Sequence, residues 1–227
     1  MQVARIALLA ATLALAAPLS SQIVTNGGFE TFNGAIGADG GAQLIGGTTA
    51  LPGWSVVGSE SAFLRNGNVY LLSAHSGTGF LDLTGYSNTG FPKGVSQTLA
   101  GLTVGRSYTF SMWLGVFNGR CGVAINCSGP VSASATIGSV TQTFVQNGTA
   151  PGDVWSQFGF TFVATNTSML LTIQGVSIPS GAAYIGLDDV SVVPAEVGVV
   201  PEPAAVALLA VGLLLLVVVS SRRRAPR

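Results

Sequence analysis

Charge is what this 227-residue chain has least of: Asp, Glu, Lys and Arg together make up 8% of it, with one histidine and two cysteines. Lysine occurs once, as Lys93. From Gln22 to Val200 the basic residues are Arg65, Lys93, Arg106 and Arg120, against eight acids, so the formal charge of zero averages an acidic body with a basic tail. A sparse acidic surface without clustered Lys and Arg excludes nucleic acid as a partner. The same scarcity argues against catalysis. His75, in Ser73-Ala74-His75-Ser76-Gly77-Thr78-Gly79, would need a buried acid to orient its imidazole, and no G-x-S-x-G elbow occurs. Gly77-Thr78-Gly79 lacks the lysine and following helix of a phosphate loop and reads as a hairpin turn.

A helical period is absent from the body as well. Apolar residues recur instead at every second position, broken by Gly, Asn, Pro and Ser clusters. Tyr108, Phe110, Met112 and Leu114 share one face of a strand, as do Phe158, Phe160 and Phe162, and Val131, Ala133, Ala135 and Ile137. Further strands are expected at 69–73, 80–84, 95–99, 140–145, 169–174 and 184–193. Many short strands with Gly-rich turns predict an all-β sandwich or jelly roll around one core. Cys121 and Cys127 lie in a Gly/Asn-rich stretch and read as a disulfide closing one surface loop. Two thiols without a nearby histidine make half a zinc site at best.

The ends read as targeting segments. Residues 1–21, with Arg5 ahead of the apolar run Ile6 to Ala17 and small residues after it, form a signal peptide. The jelly-roll domain is expected over 22–194 and a linker over 195–203. A transmembrane helix follows over 204–221, then a basic cytoplasmic tail over 222–227. The 16 uncharged residues Ala204 to Val219 give a helix of about 24 Å, which Ser220, Ser221 and snorkelling arginines extend towards a span. Arg222, Arg223, Arg224 and Arg227 place that end inside and the body outside. Pro201-Glu202-Pro203, the apolar helix and the terminal arginines, in that order, resemble the PEP-CTERM sorting signal. The resemblance implies recognition and cleavage by an exosortase-type membrane protease, with delivery to the envelope or extracellular matrix. A plain uncleaved anchor needs the same helix and charges.

The body has its own resemblance. Asn26-Gly27-Gly28-Phe29-Glu30, Leu51-Pro52-Gly53-Trp54, Gly94 to Leu99 leading into Gly105-Arg106-Ser107-Tyr108-Thr109-Phe110, and Gly186-Leu187-Asp188-Asp189-Val190-Ser191-Val192 occur in that order. This is similar to the galactose-binding-like jelly roll of several carbohydrate-binding modules and of a plant cell-wall protein family. It covers nearly all of residues 22–194, and it implies a structural calcium ion held by Glu30 and Asp188 with backbone carbonyls. Period two puts Asp188 on the inward face with Val190 and Val192, so it needs a partner there. Backbone N–H groups at the sandwich edge could satisfy both carboxylates without metal.

For a sugar the chemistry asks for aromatic faces and hydrogen-bonding edges. Trp113 is out of phase with its strand's core face and stands outward, either as a binding platform or as a patch covered by a loop. Asn68, Tyr70 and Tyr86 are edge donors by type, while Trp54 and Trp155 are expected in the core. The chain thus reads as an exported, non-enzymatic surface or matrix protein that binds polysaccharide. A structural envelope protein without sugar affinity is the second reading and a glycan-active hydrolase the third.

Overall fold

A computed structural model describes residues 23–86, 92–121, 125–127, 130–147, 152–177, 184–195 and 212–213, with the backbone alone at 118–121, 125–127 and 152. The chain divides into two compact units, Met1–Ala195 and Glu196–Arg227. In the second, the described residues are Gly212 and Leu213, which are helical. The signal peptide, Pro201 to Pro203, the 204–221 span as a whole and Arg222 to Arg224 lie outside the described residues. Among those described, no helix is long and apolar enough to cross a membrane.

Among the described residues the first unit has twelve strands: β1 (Gly41–Ile45), β2 (Ser55–Gly58), β3 (Glu60–Arg65), β4 (Gly79–Asp82), β5 (Lys93–Ala100), β6 (Ser107–Cys121), β7 (Ile125–Cys127), β8 (Val131–Ile137), β9 (Val140–Gln146), β10 (Gly152–Val163), β11 (Ser168–Ser177) and β12 (Gly186–Pro194). They form two antiparallel sheets. One runs β1-β3-β4-β12-β6-β10, with β7 paired to β6, and the other runs β2-β5-β11-β8-β9. The alternating runs explain the arrangement. Tyr108, Phe110, Met112 and Leu114 of the first sheet and Val131, Ala133, Ala135 and Ile137 of the second are all buried and share one core. The rings of Phe110 and Phe160 meet at 5.1 Å across the β6–β10 pair. Trp54 is in this core as expected, its indole N–H donating to the Asn26 carbonyl at 3.0 Å.

Several expectations change. β1, β2, β3 and β7 are strands where the sequence pattern predicts none, and residues 69–73 are loop instead of strand. There the buried side chain of Asn68 takes the backbone's hydrogen bonds, accepting from Tyr70 and Leu72 N–H and donating to the Arg65 and Leu72 carbonyls. These bonds hold Leu71 at φ 61°, which no strand allows. Lys93, the one lysine of the chain, is fully buried, with its ammonium 2.7 Å from Glu60 and donating to the Thr84 carbonyl at 2.9 Å. In the β6–β7 ribbon Cys121 faces Ile125 and Cys127 faces Gly119, so the cysteines are not directly opposite. Their side chains lie outside the described ones.

Candidate functional site: the outer face of the seven-stranded sheet

The period that buries Met112 and Leu114 turns Trp113 outward, and the structure places it half-buried on the outer face of its sheet. One ring face is taken. The His75 imidazole stacks on the indole with centroids 3.6 Å apart and planes 16° from parallel. His75 belongs to the long connection between β3 and β4, which folds back over this face. Beyond it lies Trp155, 6.0 Å from His75 and edge-on to Phe80 at 6.0 Å. The Trp155 indole N–H donates to the Ser73 carbonyl at 3.3 Å.

Trp155 corrects the expectation of a core residue. Its position is odd where Phe158, Phe160 and Phe162 are even, so period two sends it to the outer face. Its ring lies across Gly115 of β6 and Gly186 of β12. A β-carbon at either would come within 2.8 and 2.7 Å of the indole. The absence of side chains at those positions lets a large ring lie flat on the sheet.

The rings continue towards the other edge of the same sheet. Tyr184 joins Phe80, Leu64 and Leu72 in a second apolar cluster, against which Tyr70, Phe117 and Trp155 pack. Tyr70 lies 5.6 Å from Tyr184. The phenols of Tyr70 and Tyr86 both donate to Asp39 Oδ2, at 3.3 and 2.5 Å. Tyr86's hydrogen bond holds the Asp39 carboxyl below its usual range, and the same bond pushes the Tyr86 phenol up to about 12. Trp113, Tyr70 and Tyr86 are therefore on one surface, joined by rings that sequence could not connect. Asn68 stands behind Tyr70 and serves the loop, not the surface. Between Trp155 and Tyr184 is a crevice lined by Leu72, Phe80, Phe117 and Asp153, with room for about one water. Burial raises the Asp153 pKa, although its Oδ2 accepts the Ser73 N–H at 2.7 Å.

At the Trp113 end the acids gather. Asp188 sits opposite Trp113 in the β12–β6 register, and directly opposed residues share a face. It therefore points to the outer side, not to the core with Val190 and Val192. A bulge between Asp188 and Ser191, with Asp189 at φ 45°, shifts the phase of the strand. Asp188 is nevertheless fully buried, because the 75–79 segment covers it. Its Oδ2 accepts the N–H groups of His75 and Ser76 at 2.9 and 3.1 Å, and its Oδ1 accepts that of Asp189 at 2.7 Å. Burial pushes its carboxyl up to about 7 against those bonds. Asp189 Oδ2 lies 2.6 Å from His75 Nδ1, and its Oδ1 accepts the Ser76 hydroxyl at 2.8 Å.

Glu30 reaches the same segment from the N-terminal side. The turn at Asn26 to Phe29 buries Phe29 and leaves Glu30 facing out. Its Oε1 accepts the N–H groups of Thr78 and Gly79, both at 2.9 Å, and its Oε2 accepts the Thr78 hydroxyl at 3.0 Å. Burial works to raise its pKa, but these donors outweigh it and the net direction is down. Among the described residues no three His, Cys, Asp or Glu side chains converge as metal ligands. The oxygens offered for calcium face proton-bearing groups, so the residues present do not fit the ion.

The arrangement also bears on catalysis. His75 does have an acid at Nδ1, which the sequence could not reveal because Asp189 is 114 residues away. The nearby Ser76 hydroxyl, however, bonds to that same acid and not to the imidazole, so His75 does not activate Ser76 as a nucleophile.

No protein-family model matches the chain. Halomucin of Haloquadratum walsbyi is 27% identical over 172 residues, which is 75% of this chain and 2% of halomucin, so the chain spans about one-fiftieth of that relative's length. Similar solved structures include TmCBM61 in complex with β-1,4-galactotriose, 15% identical, covering 77% of this chain and 99% of that one with a TM-score of 0.45. The C-terminal family 22 carbohydrate-binding module of Clostridium thermocellum Xyn10B is 14% identical, covering 74% and 100% with a TM-score of 0.42. A CBM4 structure is 17% identical, covering 75% and 99% with a TM-score of 0.35.

Proposed function

We propose that the domain is a non-catalytic carbohydrate-binding module of galactose-binding-like jelly-roll type, taking a neutral polysaccharide along the outer face of its seven-stranded sheet. The observation that carries this reading is the set of partly exposed rings on that one face, Trp113, His75, Trp155 and Tyr70, with Tyr86 beyond and the buried Tyr184 packed between Trp155 and Tyr70. A pyranose has apolar C–H faces that stack on such rings and an equatorial belt of hydroxyls. The belt would meet Asp39, Asp153, Gln157 and Ser73, which lie beside these rings. The wild-type domain should bind at least one neutral glycan on an array spanning β-linked and α-linked polysaccharides. Binding to none assigns the face to structure.

The second reading, a structural envelope protein, is favoured by the His75 ring that covers one face of Trp113. For the ends of the chain we propose export through the residues 1–21 signal and sorting by an exosortase-type protease acting near Pro201, Glu202 and Pro203. The membrane is then a partner only before cleavage. The order of tripeptide, apolar run and Arg222, Arg223 and Arg224 supports this reading.

A further inference from the structure

The three carboxylates at the Trp113 end have six oxygens, and each accepts a hydrogen bond from a proton-bearing group. Glu30 takes two N–H groups and a hydroxyl from Thr78 and Gly79. Asp188 takes the N–H groups of His75, Ser76 and Asp189. Asp189 pairs with the imidazole Nδ1 of His75 and the hydroxyl of Ser76. A calcium site needs oxygen lone pairs turned to a common centre. Here N–H and O–H dipoles turn their positive ends to those oxygens, which is the arrangement that receives an anion and opposes a cation. Gly77 completes the fit. It sits at φ 60°, and a β-carbon there would run into the Glu30 carboxylate.

We infer that segment 75–79 takes the place a calcium ion would occupy, so that the N-terminal turn and β12 are joined by a metal-free clasp. His75 gives the clasp a second consequence, because the imidazole held by Asp189 is the ring stacked on Trp113. Breaking the clasp should loosen His75 from Trp113. Neither that loosening nor metal independence rests on the glycan-binding reading of the face.

The test uses the full chain, purified and equilibrated with excess calcium or with EDTA. Elemental analysis should find no stoichiometric calcium after gel filtration, and Tm should agree between the two conditions to within about 1 °C. Glu30→Gln and Asp189→Asn should each lower Tm by roughly 4 °C or more, equally with calcium and with EDTA. One calcium per chain, a Tm that falls in EDTA, or variants whose loss appears only with calcium present would overturn the clasp. If neither variant folds, the wild-type calcium content and melting decide alone. Absence of glycan binding with unchanged melting in EDTA would sink the sugar reading and leave the clasp standing.

Discussion

Truncating Trp113 separates a ligand platform from a covered structural ring. The indole is half-buried and stacked on His75 at 3.6 Å, so alanine removes about 100 Å² of buried apolar contact, near 2.5 kcal/mol as an upper figure, together with the stack itself. With relaxation of the loop we expect a stability loss of about 2 kcal/mol. Phe110 is the control from the same strand. Its ring is fully buried against Phe160, so Phe110→Ala should cost about 3 to 5 kcal/mol and leave glycan affinity in the surviving folded fraction unchanged. Urea denaturation gives both stabilities, and calorimetry or affinity electrophoresis on the glycan found by array gives binding. Trp113→Ala should weaken that binding tenfold or more, as loss of a central aromatic contact does. Wild-type affinity in Trp113→Ala, or a stability loss equal to that of Phe110→Ala, refutes the platform.

Four further outcomes are expected. Gly186→Ala puts a methyl within 2.7 Å of the Trp155 ring, which must lift from the sheet. Near-ultraviolet circular dichroism should change and stability should fall by about 1 to 3 kcal/mol. Lys93→Met removes the ammonium beside the buried Glu60 carboxylate, which keeps its hydrogen bond from Gln43, and should cost about 3 kcal/mol in urea unfolding. Adding Glu60→Gln should recover a large part of that, and strict additivity would show that the pair is not coupled. Asp82 is buried, and desolvation raises its carboxyl from 3.8 to about 7. Its contribution is therefore fully present below about pH 4 and is lost as pH rises to about 7, a fall of roughly 4 kcal/mol at 1.36 kcal/mol per pH unit. Asp188, also pushed up to about 7 by burial, titrates in the same window, so Asp82→Asn should roughly halve the slope, and an unchanged slope would assign it to Asp188. Mass spectrometry of secreted protein should find a C-terminus without Arg222 to Arg227, whereas an intact Arg227 would mean a plain anchor.

Much of the sandwich was legible because burial follows period two so closely in β6, β8 and β10. Tyr108 to Leu114 shows how far this goes, since the same alternation that names the core also turns Trp113 out. Legibility failed where the backbone departs from the period. The bulge at Asp189 adds a residue within β12, so a face assigned by counting back from Val192 is wrong by the time it reaches Asp188. Residues 69–73 have a strand's composition, yet one buried side chain, Asn68, outcompetes any ladder for their hydrogen bonds. The burial of Lys93 is illegible for another reason: a buried charge needs a partner, and Glu60 is 33 residues away. The pairing of His75 with Asp189 and the seat of Trp155 on two glycines were invisible for the same reason, being contacts between distant segments.

The connection between β3 and β4 shows how such contacts are obtained. These strands are antiparallel neighbours, with Arg65 opposite Gly79, and a hairpin of two to five residues would join them. The chain spends 13 residues there instead, 66 to 78. Lengthening a loop costs only about 0.6 kcal/mol per doubling, far less than the hydrogen bonds this one makes to Asp153, Asp188, Asp189 and Glu30. Tied at those points, the loop brings Tyr70 to Asp39, Leu72 into the cluster with Tyr184 and His75 onto Trp113. The strands supply the floor of the site, in Trp113, Trp155 and the two glycines, while the loop supplies its walls. A ligand meeting this face would be selected by the outward residues of 66–78, while Asn68 and Leu72, both buried, hold the loop to the body.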